Sequence, residues 1–329
     1  MHTNPEELVA RFIEARDAVR AVFRWENDYT SPICAQIFLA ADKPVEAAQL
    51  ERCKALVKST TGPFSNFRGN IRLPLICMLA AGDDPEDRWE RTQRGYALLK
   101  ESFFGSEYLA LAALLLSDGG KEDFAALAAR GKGLYQRMKK EHPFLTGQED
   151  SVFALLLAES QRTDDELIDD METCYRLLDE RFPKGDGLQS ASHVLALSPK
   201  TPEEKVRRMI ALFDGIQNAG GKYGKDRQLP ILAALALGTD SEEELVREIM
   251  DLDGLLAQQK GYKGVFGLDR RTRMMHAAML LSLPDRQMEV VNAAAQQATL
   301  AMIAAQQALL CAVVASSAAS SAAASSSSH

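Results

Sequence analysis

One short phrase recurs along the chain and restricts the fold more than any other feature. Asn4-Pro5-Glu6-Glu7, Asp84-Pro85-Glu86-Asp87, Thr163-Asp164-Asp165-Glu166, Thr201-Pro202-Glu203-Glu204 and Ser241-Glu242-Glu243-Glu244 share one grammar. A small side-chain acceptor precedes Pro or an acid, and an acid follows three residues after the acceptor. That is the signature of a capped helix start. The starts lie 80, 79, 38 and 40 residues apart, so the two long gaps each hold two periods of about 40. A period of that size predicts an array of helical hairpins.

Two independent registers agree with this period. Tyr96, Tyr135, Tyr175, Phe213 and Leu252 recur at 39, 40, 38 and 39 residues and mark the long helix of each hairpin. Ser106, Thr146, Asp186, Asp226 and Asp269 recur at 40, 40, 40 and 43 and read as caps of the returning helices. Ser31-Pro32 reads as the cap and first position of a second helix, and Asp42, just before Pro44, as the start of a third. Pro74 and Pro230 fall in the first turns of returning helices, where proline breaks few hydrogen bonds. Seven hairpins fit between Asn4 and Pro284, and no run of alternating apolar residues predicts a strand. The expected fold is therefore all-α, about seven antiparallel hairpins forming an α/α solenoid or a closed toroid. Such hairpins bury their apolar faces only by stacking.

The expected organisation is a helical-repeat domain over residues 1–286, a charge-free Ala/Gln-rich helix over 287–316, and a Ser/Ala-rich flexible tail over 317–329. Residues 290–328 contain no Asp, Glu, Lys or Arg. Ala, Leu, Met and Gln favour a helix over 294–316. Gln306 and Gln307 interrupt it and Ala adds little hydrophobicity, so a membrane span is the least favoured reading of this stretch. A helix lying in the array's own groove or against a partner is preferred.

A formal net charge of -8, with no long basic run, argues against nucleic-acid binding. Five scattered cysteines without a Cys-x-x-Cys pair suit a reducing compartment and read as core residues. The N-terminus lacks a signal-peptide pattern, which makes the cytoplasm the expected location.

The hairpin loops carry aromatics: Phe64, Phe67, Phe103, Phe104, Phe144, Phe182, Tyr223 and Phe266. They read either as a rim around a binding mouth or, preferably, as staples packing on the helix that each precedes. Asp186, Asp226 and Asp269, with Glu149 and Gln189 three residues after their caps, read as capping residues. Arg227, Arg271 and Arg273 sit in first turns, where positive charge opposes the helix dipole, and are candidates for an anionic ligand. His193 and His276 lie among apolar neighbours on returning helices. Either is a proton-transfer candidate if it faces a cavity. Phosphate-loop, serine-hydrolase and zinc motifs are absent, and no cofactor or metal is expected.

The words Phe144-Leu145-Thr146-Gly147-Gln148-Glu149-Asp150, with Leu155-Leu156-Leu157 after them, and Leu188-Gln189-x-x-Ser192-His193-x-Leu195 resemble a bacterial family of unknown function, DUF4003. The similarity runs over nearly the whole chain. The resemblance implies a bacterial, cytoplasmic protein and assigns no catalytic residue, but it directs attention to Gln189, Ser192 and His193.

The preferred function is a scaffold whose concave surface binds a protein or peptide, or the chain's own C-terminal helix. The alternatives are an enzyme or small-ligand toroid with a site at the loop end or concave centre, built from Gln189, Ser192, His193, Arg227, Arg271, Arg273 and His276, and a tail-anchored membrane scaffold. The sequence leaves the oligomeric state open.

Overall fold

The computed structural model describes residues 4–24, 30–117, 124–238, 240–264 and 267–282. Over these residues the chain forms fourteen α-helices and one 3-10 turn, with no strand. Long and short helices alternate. The long ones are α1 (Pro5–Val22), α3 (Ala47–Thr60), α5 (Pro85–Ser102), α7 (Phe124–Glu141), α9 (Asp164–Asp179), α11 (Pro202–Asn218) and α13 (Glu242–Ala257). The short ones are α2 (Ser31–Ala41), α4 (Arg72–Ala81), α6 (Glu107–Leu116), α8 (Asp150–Ala158), α10 (Asp186–Ala196), α12 (Leu229–Ala236) and α14 (Arg270–Leu281). From α3 to α14 each long helix packs on the short helix that follows it, giving six consecutive hairpins. The stretch expected to form the C-terminal helix and tail, with Pro284 and Phe266, lies outside the described residues.

The chain divides into two compact units. Among the described residues, one holds 4–13 and 160–282; the other holds 14–159. Within the second, α5 packs on α6 and α7, and α8 on α6 and α7, while α4 packs on α2 and α3. Within the first, α9, α11 and α13 pack side by side, α12 lies between α10 and α14, and each long helix packs on its own returning helix. The short helices are the interior layer: all nine residues of α8 and all eight of α12 are buried. The long helices bury only a stripe, such as Phe124, Ala128, Gly131, Leu134 and Met138 of α7. This is the pattern of a helix with one face on a core and the other in water.

The long helices start as expected. Asn4, Asp84, Thr163, Thr201 and Ser241 each accept a backbone N–H of the first turn, and Thr163 with Glu166 forms a complete capping box. Several other starts differ. Thr30, not Ser31, precedes α2, and its side chain makes no capping bond. Asp42 ends α2 in the left-handed conformation (φ 49°, ψ 42°) rather than starting α3, which begins five residues later at Ala47. Of the predicted short-helix caps, Ser106 and Asp269 accept first-turn N–H groups. Thr146 does not: its hydroxyl donates to the carbonyl of Met138 at the end of α7, and α8 starts four residues later. Gly185 takes the cap position of α10 and Asp186 is its first residue, while Gln228 precedes α12, leaving Asp226 in the loop. Glu149 and Gln189 are consequently not capping-box partners. Glu149 itself occupies the cap position of α8, and Gln189 is buried inside α10.

Candidate functional site

The residues singled out in the sequence do not share one surface. Gln189, Ser192 and His193 lie on α10, each 2 % exposed, with the Ser192 hydroxyl donating to the Gln189 carbonyl at 2.8 Å. His276 is equally buried on α14. Its Nδ1 is 2.8 Å from the Tyr262 hydroxyl, and Phe12 meets its ring edge-on. Arg273 grips Asp253 of α13 with both arms, Nε to Oδ1 at 2.8 Å and a terminal nitrogen to Oδ2 at 3.0 Å, and this pairing raises the pKa of the guanidinium. Arg227 and Arg271 are exposed. Within its own hairpin, Asp253 thus balances Arg273, one of the three arginines in the first turn of α14.

A second basic system meets the carbonyls at the ends of the short helices, mostly within one hairpin. Arg130 of α7 donates to the Ala158 carbonyl at the end of α8 at 2.9 Å, and Arg208 of α11 to the Gly238 carbonyl after α12 at 2.8 Å. Both residues stand five before the aromatic that marks their helix, Tyr135 and Phe213. In α9 the same place, five before Tyr175, is Asp170. Here the terminal carbonyls of α10 are met instead by cations from elsewhere. Arg162 donates to Ala196 at 2.9 Å, and Lys205 to Ser198 at 3.0 Å. Both cations close on the Asp170 carboxylate. Lys205 is wholly buried, and the Cys174 thiol donates to the same carboxylate at 3.4 Å. Cations at helix C-termini are favoured by unsatisfied carbonyls and by the dipole. The charge reversal at position 170 therefore comes with two compensating charges.

Apart from the buried Tyr223, whose hydroxyl donates at 3.0 Å to the Gln228 carbonyl at the start of the helix it precedes, the described loop aromatics separate into two sets. Phe67 packs on Tyr96 (centroids 4.9 Å apart), Phe103 on Tyr135 (5.9 Å) and Phe182 on Phe213 (5.0 Å). Each ring thus packs on the long helix of the following hairpin, not on the helix it precedes as the staple pattern suggested. The other set is exposed: Phe64 at 99 %, Phe104 at 82 % and Phe144 at 99 %. Of the large apolar side chains described as exposed, only Leu98 joins them, at 36 %. They occupy three successive loops, α3 to α4, α5 to α6 and α7 to α8, exactly one period of 40 residues apart, and all belong to the unit Glu14–Glu159. The buried rings place these loops at one end of that unit, because Asn66 bonds the Tyr96 hydroxyl at the close of α5 and Phe103 sits on α7. In the chain, Lys58, Lys100 and Lys140 in the last turns of the long helices precede the rings by four to six residues, with Glu101 and Glu141 next to two of them.

At the other end of α5, a cleft of about 410 Å³ opens between the ends of α2 and α4 and the first turns of α5. Ile37, Ala41, Met78 and Ala81 form its apolar wall, and Arg88 and Arg91 reach it from α5.

Cys34, Cys53, Cys77 and Cys174 are buried, as expected of core residues; Cys311 is outside the described residues. Burial, with the Glu86 charge adding, pushes the Cys53 thiol up to about 11, and burial likewise raises Cys77 and Cys174. Thiols held protonated are poor nucleophiles. Among the described residues no group of three or more His, Cys, Asp or Glu is arranged to hold a metal ion, and no helix is long and apolar enough to cross a membrane.

Comparison with known proteins is consistent with this picture of hairpins without a recognised chemistry. Residues 17–308 match the family described as Protein of unknown function (DUF4003). The uncharacterised protein YeaA of Bacillus subtilis is 26% identical over 268 residues, which cover 78% of this chain and 79% of that protein. No solved structure matches.

Proposed function

The chain belongs to the DUF4003 family of proteins of unknown function, and on that premise we propose that it is a helical-repeat scaffold that binds a protein or peptide partner through Phe64, Phe104 and Phe144. The observation that carries this reading is the exposure of three phenylalanines at the same place in three successive loops. A ring in water contributes nothing to the fold. Burying one in a partner is worth about 1.5–3 kcal/mol. Aromatic anchors set in a polar rim are the usual anatomy of a protein interface. The lysines that precede the rings in the chain alternate with Glu101 and Glu141, a mixed field that suits a protein surface better than an anionic bilayer. The contact accordingly moves from the concave surface expected from sequence to the loop end of one unit. Gln189, Ser192, His193 and His276 are buried and take no part in this reading.

The test places a photo-crosslinking phenylalanine analogue at 64, 104 and 144 in the native host. One protein should be captured at all three positions. Once purified, it should bind the wild-type chain and lose roughly a hundredfold or more in affinity for the Phe64→Ser/Phe104→Ser/Phe144→Ser variant, whose helical content is unchanged. Three unrelated captures, a crosslink to a second copy, or loss of vesicle binding in the triple variant would each overturn it.

A further inference from the structure

We propose that the cleft at the start of α5 is a binding site for a carboxylate on a short aliphatic stem. Its volume, about 410 Å³, lies in the range of small-molecule sites. Its wall supplies aliphatic contact from Ile37, Ala41, Met78 and Ala81, and its polar side supplies guanidinium groups from Arg88 and Arg91. Arginine's planar fork matches a carboxylate.

Two observations fix the chemistry. The first is at Arg91. One terminal nitrogen of its guanidinium pairs with Asp87 at 3.0 Å, yet its Nε is buried and has no hydrogen-bond partner. A buried donor left unmatched costs about 1–3 kcal/mol, and a ligand acceptor would remove that cost. The acids at the rim are already engaged. Asp83 is 2.5 Å from the Lys43 ammonium, which lowers its pKa, and Asp84 accepts the Asp87 amide as the cap of α5.

The second observation comes from α11, which carries cations at the same two helix positions. Arg88 and Arg91 stand eight and five before Tyr96, as Lys205 and Arg208 stand eight and five before Phe213. In α11, Asp170 meets Lys205, while Arg208 donates to the Gly238 and Asp240 carbonyls, with Glu242 3.4 Å from an Nε that makes no hydrogen bond. In α5, Arg88 donates to the Met78 carbonyl, and the space beside Arg91 is the cleft. With the Met78 carbonyl taken by Arg88, the Arg91 guanidinium holds no helix-end carbonyl as Arg208 does and is left to an acceptor in the cleft, for which a carboxylate is the matching group. The apolar wall adds the stem. A free aliphatic monocarboxylate and the C-terminal residue of a peptide with an aliphatic side chain share that chemistry.

The experiment titrates the full chain, methyl-labelled at Met and Ile, with hexanoate, with hexanol, and with N-acetyl-glycyl-leucine as acid and as amide. The Met78 and Ile37 methyl signals should move saturably with hexanoate and not with hexanol. Arg91→Met should weaken hexanoate binding roughly tenfold or more, and Arg91→Lys less. Ala41→Leu, which fills the cleft and leaves both arginines in place, should abolish binding even if Arg91→Met is poorly folded. Tighter binding of the peptide acid than of hexanoate, with none by the amide, would assign the site to a peptide terminus; hexanoate binding alone would assign it to a free carboxylate. Equal response to hexanol and hexanoate, signals that do not move, or hexanoate binding untouched by Ala41→Leu would overturn the proposal. None of these readouts depends on the exposed phenylalanines.

Discussion

The Lys205 ammonium lies 2.6 and 2.8 Å from the two oxygens of Asp170, with neither side chain in contact with water to any useful extent. Removing one partner of such a pair leaves an uncompensated buried charge. Asp170→Asn should therefore destabilise the chain by about 3–5 kcal/mol. Asp170→Leu combined with Lys205→Met should recover most of that loss, because the part-exposed Arg162 can turn to solvent. Urea denaturation, following the transition that contains α9 to α11, measures both.

Phe103 and Phe104 are neighbours with opposite fates. Phe103 is buried against Tyr135 with the Lys132 ammonium 5.1 Å from its ring, whereas Phe104 stands in water. Phe103→Ala should cost about 3–5 kcal/mol. Phe104→Ala should change stability by less than about 0.5 kcal/mol. Paired thermal and denaturant melts test the contrast; equal losses would mean that the two rings share one packing environment.

Two glycines on α7 offer a similar contrast. A methyl group at Gly131 would lie 2.8 Å from the Leu155 side chain and 3.4 Å from its Cα, while one at Gly133 would meet nothing within 4 Å. Gly131→Ala should destabilise by about 1–3 kcal/mol through overpacking. Gly133→Ala should stabilise by about 0.5–1 kcal/mol, since alanine loses less backbone entropy in a helix. The midpoint of denaturation should move in opposite directions for the two variants.

Asp269 caps α14. Partial burial works to raise its pKa, but hydrogen bonds from Thr272 and from the Arg271 and Thr272 amides outweigh it and hold the carboxyl below its ordinary value of 3.8. A group depressed in the folded state contributes stability that is complete above its unfolded value and is lost as pH falls through its folded value. The stability difference between wild type and Asp269→Asn should hence be constant above about pH 5 and shift against the wild type as pH drops below 3.8. Melting curves of the two proteins across pH 2–6 read that difference, and a constant offset would show that the carboxylate's charge plays no part in the cap.

The hairpins were legible because the long helices begin on exposed ground, where an acceptor side chain at the cap is the cheapest partner for the first amides. Thr163 and Thr201 are such cases. Starts of the short helices were misread at Thr146, Asp186 and Asp226, although Asp186 and Asp226 are exposed and the buried Ser106 caps as expected. At one of them loop geometry replaces the cap side chain: Thr146, 2 % exposed, bonds backward to α7. Asp170 and Lys205 escaped notice, although a signal was present. Arg91, Arg130, Arg208 and Arg247 occupy the position five before each marker residue, and Asp170 alone reverses the charge. The spacing of 40 between Phe64, Phe104 and Phe144 was also visible. Their exposure was not, since the same loops hold Phe67 and Phe103, which face inward, and spacing carries no direction.

The inward rings give the chain a polarity. Phe67, Phe103 and Phe182 each need the next hairpin to cover them, so a hairpin added after any of these must bring an aromatic of its own to the marker position of its long helix. The last described hairpin differs: Tyr262 turns back to His276 on its own returning helix, and Phe12 meets the His276 ring edge-on. A hairpin of that kind makes no demand on a successor. Duplication of a hairpin keeps its neighbours' rings covered only where the copy carries an aromatic at the marker position, as Tyr96, Tyr135 and Phe213 do.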